Sequence, residues 1–270
     1  MKTTSVLPEA AAPGPVQLRS VGHGLGRSWR DYRSLLHWHL ASLRIWLALL
    51  VAVQALSGVG FVLGISLFFK HVPASAAVFV STGVPVINLL LVGLILGPQL
   101  VADQKVRGGY EYLRVLPVSR PVDALAWYTV CLAGGVPAMV VSLGAGVLRY
   151  NLDLRISPAV IPAVALTSFT ATMFGYALAH AISQPMATRL VTQLLVFLVF
   201  GFAPILFPIT QMPRWLGTLN WWFPFRHMAD VMRAALVPGP HPVLATSYIV
   251  LGVWSVACAA LAGRALARRR

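Results

Sequence analysis

The sequence has few charged residues. They make up 10% of its 270 residues, whereas a soluble domain carries about a quarter, and hydrophobic residues reach 58%. This composition excludes an ordinary soluble domain and indicates an integral membrane protein. The net charge of +14 does not predict a nucleic-acid partner, because the basic residues are spread beside apolar runs instead of forming one patch. We therefore expect membrane lipid, and no nucleic acid, around the chain.

Lysine and cysteine are also scarce. A Walker A phosphate loop needs Gly-Lys followed by Ser or Thr, and Lys2, Lys70 and Lys105 all lack a preceding glycine. No HExxH zinc motif is present, and the two cysteines, Cys131 and Cys258, lie inside apolar segments. The sequence therefore predicts a protein that is not an enzyme, with no metal, cofactor or disulfide framework in this chain.

Six apolar runs are long enough to cross a bilayer, which takes about 20 helical residues. We place them at 45–69, 76–101, 124–148, 158–182, 190–207 and 243–262. An even number of spans puts both termini on one side, and the segments on that side hold fifteen of the 21 Lys and Arg residues. Because short cytoplasmic loops are enriched in these residues, we predict a multi-pass protein with both termini cytoplasmic.

The amino-terminal region divides into two parts before the six-span transmembrane domain at 44–270. Residues 1–26 are rich in proline, glycine and alanine without an apolar core, so they indicate a flexible cytosolic tail and not a cleaved signal peptide. Residues 27–43 repeat apolar side chains at helical spacing and predict an amphipathic interfacial helix, on which His37 and His39 are interfacial. The alternative is a juxtamembrane extension of the first span.

Residues 208–240 fit neither a span nor a simple loop. They contain five prolines and three tryptophans, followed by a helical pattern at 225–236. Prolines interrupt continuous helices, and tryptophans favour the membrane interface. We predict two short re-entrant helices that dip into the outer leaflet before the last span, with a surface-lying amphipathic loop as the alternative. The fold class is thus all-α and polytopic.

Charges, glycines and aromatic residues gather only once in the interior, at 103–123, between the second and third spans. From Gly108 this segment reads GGYEYLRVLPVSR, which resembles the cytosolic loop of type-two ATP-binding-cassette (ABC) exporter permeases, Gly-Thr-Leu-Glu-x-Leu-Leu-x-x-Pro-Val-Ser-Arg. Gly109 departs from the usual threonine. A second resemblance lies in the family's extracellular proline and tryptophan pattern, at Pro204, Pro208, Pro213, Trp215, Leu216, Pro224 and Arg233.

The resemblance implies the permease subunit of an ATP-driven exporter in a bacterial inner membrane. Such a permease pairs with a second copy, identical or not, and with separate ATPase subunits that bind ATP and Mg²⁺. Its cargo is amphipathic: a drug, a lipid or a glycan. The segment at 103–123 becomes a coupling loop that docks the ATPase with aromatic anchors and a charged rim. Its candidate residues are Gly108, Tyr110, Glu111, Leu113, Arg114, Pro117 and Arg120.

Polar side chains inside the apolar runs are candidates for lining the cargo pathway. They are Gln54, Asn88, Gln99 and Gln193. The resemblance implies that the first, second and fifth spans line the route between the two permease copies. The alternative is hydrogen bonding between helices, which amide side chains also provide.

Two other functions stay open. One is a membrane assembly or sensor component whose loop docks a soluble partner without moving cargo. The other is a secondary transporter, although such carriers usually keep an ionisable group at mid-membrane, and none of the seven acidic residues lies in the middle of a predicted span.

Overall fold

The computed structural model describes residues 25–69, 72–106, 108, 119–239 and 244–268. Every regular element in these ranges is a helix. Besides the α-helices, these ranges contain a π-helical turn at Val92–Leu96 and a 3-10 turn at Ile209–Gln211. The α-helices are α1 Leu25–Phe68, α2 Ala74–Leu91, α3 Gly97–Val106, α4 Arg120–Tyr150, α5 Val160–Ala181, α6 Pro185–Phe202, α7 Arg214–Trp222, α8 Pro224–Leu236 and α9 Leu244–Arg268.

Six helical segments in the described ranges are long and apolar enough to cross a membrane, which confirms the predicted all-α, six-span fold. They are α1, α2 through α3, α4, α5, α6 and α9. The first and third spans run parallel, since Tyr32 and Thr129 share a hydrogen bond of 2.8 Å at one end. At the other end the Tyr150 hydroxyl donates to the Val62 carbonyl oxygen at 2.9 Å.

The first span differs from its prediction. Residues 27–43 do not form a separate element, because α1 continues without interruption from Leu25 to Phe68. No proline lies in this range to remove a backbone hydrogen bond, so nothing in the sequence ends the helix near Arg44. The arrangement corresponds to the juxtamembrane extension that was the alternative.

The fifth span is shifted relative to its prediction. It begins at Pro185 and ends at Phe202, whereas the apolar run predicted 190–207. Proline is favourable in the first helical turn, where its missing N–H is not needed. Ala203 has extended backbone angles, φ −89° and ψ 133°, because a residue before proline, here Pro204, avoids the helical region.

The second span is interrupted by the π-helical turn at Val92–Leu96. Pro98 follows two residues later and cannot donate a hydrogen bond to the carbonyl of Leu94, so the regular ladder cannot continue there. The wider turn accommodates this defect. Turns of this kind occur often at functional sites and at changes of helix direction.

The π-helical turn crosses α5 with direct backbone contact. A methyl group added at Gly175 would lie 2.3 Å from the Gly93 carbonyl oxygen, and one added at Gly93 would lie 2.7 Å from the Thr172 amide nitrogen. Only glycine fits at both positions. Small residues let helices approach closely in membranes, where packing replaces the hydrophobic effect as the main attraction between helices.

The core forms around this crossing. Leu89, Leu90 and Leu94 of the second span are buried against Met228 and Met232 of α8, within one cluster. The second span is the most enclosed, with 78% of its most apolar window buried, against 17% for the first span and 22% for the fifth. The sixth span is as open as the fifth, at 22%, so the first, fifth and sixth spans present the largest apolar faces to the surroundings.

Replacing Gly175 with alanine should destabilise the fold by about 1–3 kcal/mol, the usual effect of overpacking a core. Thermal unfolding in mild detergent, followed by tryptophan fluorescence, measures this change. Gly144→Ala is the matched control, because an added methyl group there meets nothing within 4 Å. Alanine favours a helix over glycine by up to about 1 kcal/mol, so this control should not lose stability. Equal behaviour of the two variants would contradict the proposed importance of the crossing.

Candidate functional site

The predicted coupling loop joins the end of α3 at Val106 to the start of α4 at Arg120. Gly108 is a turn residue with φ of +76°, a conformation that glycine adopts without strain. Arg120 is the first residue of α4. The other predicted coupling residues and their helix lie outside the described residues: Tyr110, Glu111, Leu113, Arg114 and Pro117. The contacts of this site are therefore described from the two flanks of the loop, which are the end of α3 and the start of α4.

Lys105 fixes the flank on α3. Its Nζ donates to the carbonyl oxygens of Ala179 and Ile182, both at 2.7 Å. Ala179 lies in the last turn of α5 and Ile182 directly follows that helix, where backbone oxygens have no partner within the helix. The ammonium group also interacts favourably with the negative end of the helix dipole. Lys105 thus attaches the second span to the carboxyl end of the fourth.

Asp103, two residues earlier, forms an ion pair with Arg189 of α6. The two side chains keep 42% and 47% of their surface exposed. Ion pairs this open to solvent contribute only about 0–1 kcal/mol. The pair therefore links the second and fifth spans only weakly. Either side chain can exchange its partner for another charged group.

Asp123 fixes the flank on α4. Its carboxylate lies in the first turn of α4, where a negative charge is favourable, and accepts a hydrogen bond of 2.7 Å from the Tyr176 hydroxyl of α5. The Nε2 atom of His39 on α1 lies 3.9 Å from the same carboxylate. His39, predicted to be an interfacial side chain, is buried within the protein: it is 2% exposed, and its ring packs against Trp127 with centroids 4.4 Å apart.

Both flanks of the coupling loop therefore meet the carboxyl end of α5, within the residues from Tyr176 to Ile182. The sequence did not reveal these contacts, because Lys105 and Tyr176 are far apart in the chain and belong to no motif. The sequence offered one signal, the scarcity of lysine: Lys105 is one of only three lysines, and it lies at the start of the 103–123 segment.

The four candidate pathway residues lie in different environments. Asn88 is buried and donates from Nδ2 to the Ala138 carbonyl oxygen at 3.1 Å and to Ser142 Oγ at 3.0 Å. These contacts match the alternative, hydrogen bonding between helices. Gln54 is also buried, whereas Gln99 and Gln193 are exposed on the surface of the chain. The structure does not bring these four side chains to one place.

The segment between the fifth and sixth spans contains two short helices, α7 and α8. Three of its prolines lie where helices begin: Pro208 before the 3-10 turn, Pro213 before α7 and Pro224 in the first turn of α8. Trp215 of α7 is 65% exposed. The predicted dip of these helices into the outer leaflet stays a prediction.

Arg233 anchors α8 to the bundle. Its guanidinium donates to the Ile205 carbonyl oxygen, lies 4.1 Å from the centre of the Phe79 ring, and is 3.7 Å from the Asp230 carboxylate. Arg226 contacts the other carboxylate oxygen of Asp230 at 3.3 Å. Burial lowers the pKa of Arg233 to about 10, an effect that Asp230 opposes. Arg233 therefore remains cationic at neutral pH.

These features define a six-span, all-helical membrane protein with a charged loop held at one end of its bundle. A comparison with family models matches residues 65–264, more than half of the chain, to a family described as ABC-2 family transporter protein. The chain belongs to the ABC-2 transporter family, whose members are membrane components of ABC transporters. A comparison with curated protein sequences gives no match.

Replacing Lys105 with methionine removes the donor for two carbonyls at the end of α5. We expect a loss of about 1–3 kcal/mol, the penalty for leaving buried acceptors unpaired, measured by thermal unfolding of the purified protein. Lys105→Arg keeps the charge and several donors, so it should retain most of the stability. A methionine variant as stable as the arginine variant would show that this contact does not hold the flank.

Replacing Arg233 with methionine should cost about 2–3 kcal/mol, below the full penalty for a broken buried pair, because Asp230 keeps Arg226 as a partner. Lysine at this position should be intermediate, since it keeps the charge but loses the planar group that stacks on Phe79. Limited proteolysis between the fifth and sixth spans measures the release of α8. Equal cleavage of the wild-type and methionine proteins would contradict the anchoring role.

Proposed function

We propose that this chain is the permease subunit of an ATP-driven exporter, a dimer coupled to separate ATPase subunits that bind ATP and Mg²⁺. Its termini are cytoplasmic and its membrane is a bacterial inner membrane. The observation that carries the proposal is the attachment of both flanks of the coupling loop to the carboxyl end of α5. The family of the chain supports the same assignment.

These attachments give a physical route for coupling. A partner that moves the loop moves Lys105 and Asp123 together, and both are hydrogen-bonded to the end of α5. The fourth span in turn crosses the second with direct backbone contact at Gly93 and Gly175. A displacement at the loop is therefore passed to the centre of the bundle through two packed helices. Coupling then requires two states with different contacts at the loop and along the cargo path.

The surface of the fifth span supports a dimer. Leu190, Leu194 and Phe197 lie on an exposed face of α6, each at least 59% exposed. Gln193 shares this face and is also exposed. Burying an amide in hydrocarbon without a partner is costly, so a second permease copy is a better neighbour for Gln193 than lipid. This placement agrees with the pathway role expected for Gln193.

Two competing functions make different predictions in the same assay. Proteoliposomes that contain the permease, its ATPase and an amphipathic cargo should show ATP-dependent flux. A sensor or assembly component would show none, and a secondary transporter would need an ion gradient and no ATPase. An ATPase with a Walker A loop should also co-purify in mild detergent. Repeated isolation of the permease alone would count against the proposal.

Replacing Tyr110 and Leu113 with alanine, together with Glu111→Arg, should abolish the stimulation of the ATPase by the permease, because it removes the aromatic anchor and reverses a rim charge. Membrane insertion should be unchanged, since these residues lie outside the spans. Arg155→Ala is the control: it alters an exposed charge in the connection between α4 and α5, at the opposite end of the bundle. Undiminished stimulation in the triple variant would overturn the docking assignment.

A further inference from the structure

A groove of about 660 Å³ lies between α1, α3 and α4, beside the flanks of the coupling loop. Its end near the loop is polar and holds His39, Gln99, Asp103 and Gln104. Its deeper end is apolar and reaches Val53 and Ile95. Because one end is polar and the other apolar, the groove matches a molecule with a polar head and a hydrophobic body.

Three tryptophans form walls of the groove: Trp38, Trp46 and Trp127. Indole rings attract cations through their electron-rich faces, and they do so more strongly than other aromatic rings. Trp127 is almost fully buried, whereas Trp38 and Trp46 are largely exposed, so the latter two are free to contact a bound molecule. The aromatic walls therefore favour a cation with apolar substituents.

The charged residues that line the groove also favour a cation. Asp103 is its only acidic side chain, and no lysine or arginine lines it among the residues that the structure describes. The chain as a whole carries a net charge of +14, so a surface without fixed positive charge is unusual here. The imidazole of His39 adds a polar wall atom: the residue is 2% exposed, and Nε2 has no hydrogen-bond partner within the described ranges.

We infer that this groove binds a lipophilic organic cation, which Asp103 and the tryptophans recognise. The inference rests on the proposed function, because it assigns a substrate class to the exporter. It also requires an exchange, since Asp103 is already paired with Arg189, which does not line the groove. A bound cation competes with Arg189 for the carboxylate. Cargo binding thereby weakens the contact between the second and fifth spans and frees Arg189.

The test is a binding measurement on the full-length permease in nanodiscs of neutral lipid, without any ATPase. Radiolabelled tetraphenylphosphonium is the probe, and tetraphenylborate is its anionic counterpart of almost the same size and shape. Binding to empty nanodiscs is subtracted for both. We expect saturable binding of the cation only. Equal saturable binding of both ions, or of neither, would overturn the inference.

Two substitutions at the ion pair should act in opposite directions. Asp103→Asn should weaken tetraphenylphosphonium binding by about tenfold, because it removes the carboxylate charge. Arg189→Gln should strengthen binding severalfold, because it removes the competitor. A gain in affinity cannot arise from misfolding, so the Arg189 variant tests the inference even if the Asp103 variant folds poorly.

The control variant is Asp153→Asn. It removes an exposed charge from the connection between α4 and α5, away from the groove, and should leave the affinity for tetraphenylphosphonium unchanged. Indistinguishable affinities for the Asp103 and Asp153 variants would also overturn the assignment.

These experiments distinguish a failure of the cation-binding site from a failure of the proposed exporter function. Saturable cation binding without ATP-dependent flux of any amphipathic cargo in proteoliposomes would leave the site in place and refute the exporter. ATP-dependent flux of another amphipathic cargo, without cation binding in nanodiscs, would support the exporter and refute the site.

Discussion

The backbone contact between Gly93 and Gly175 is the constraint on which the rest of the bundle depends. It brings the second and fourth spans closer than any side chain would allow. The methionines of α8 and the leucines of the second span then pack around this crossing in one cluster. In a membrane, where lipid is as apolar as the helix surface, such close contact replaces the hydrophobic effect as the source of association. The loop contacts described above connect to the bundle through the same pair of helices.

The spans could be predicted because their length and hydropathy depend only on the local sequence, and all six are present. The predicted ends of the spans were less accurate where a proline begins or ends the helix. Pro185 begins α6 before its apolar run, and Pro204 ends it early. The continuity of α1 was only the alternative prediction, because the change from amphipathic to apolar residues near Arg44 resembles a boundary, although no residue there breaks a helix.

The site was predictable in part. A resemblance to the family's cytosolic loop marks the segment between the second and third spans, but motifs carry no information on which distant residues hold that segment. Lys105, Tyr176 and Arg189 act through contacts between helices, which depend on the register of packing. Asn88 illustrates the same limit: an amide in an apolar run fits a pathway and a helix contact equally well, and only the positions of Ala138 and Ser142 favour the contact.

The uninterrupted α1 has a mechanical consequence. Its 44 residues span about 66 Å at 1.5 Å per residue, whereas a bilayer with its headgroups is about 45 Å thick. An upright helix of this length must project roughly 20 Å beyond one membrane surface. A rod of this length moves its far end by roughly 10 Å for each 10° of tilt. Trp38 and Trp46 lie along it, so a small tilt of the rod would change the width of the groove that they border.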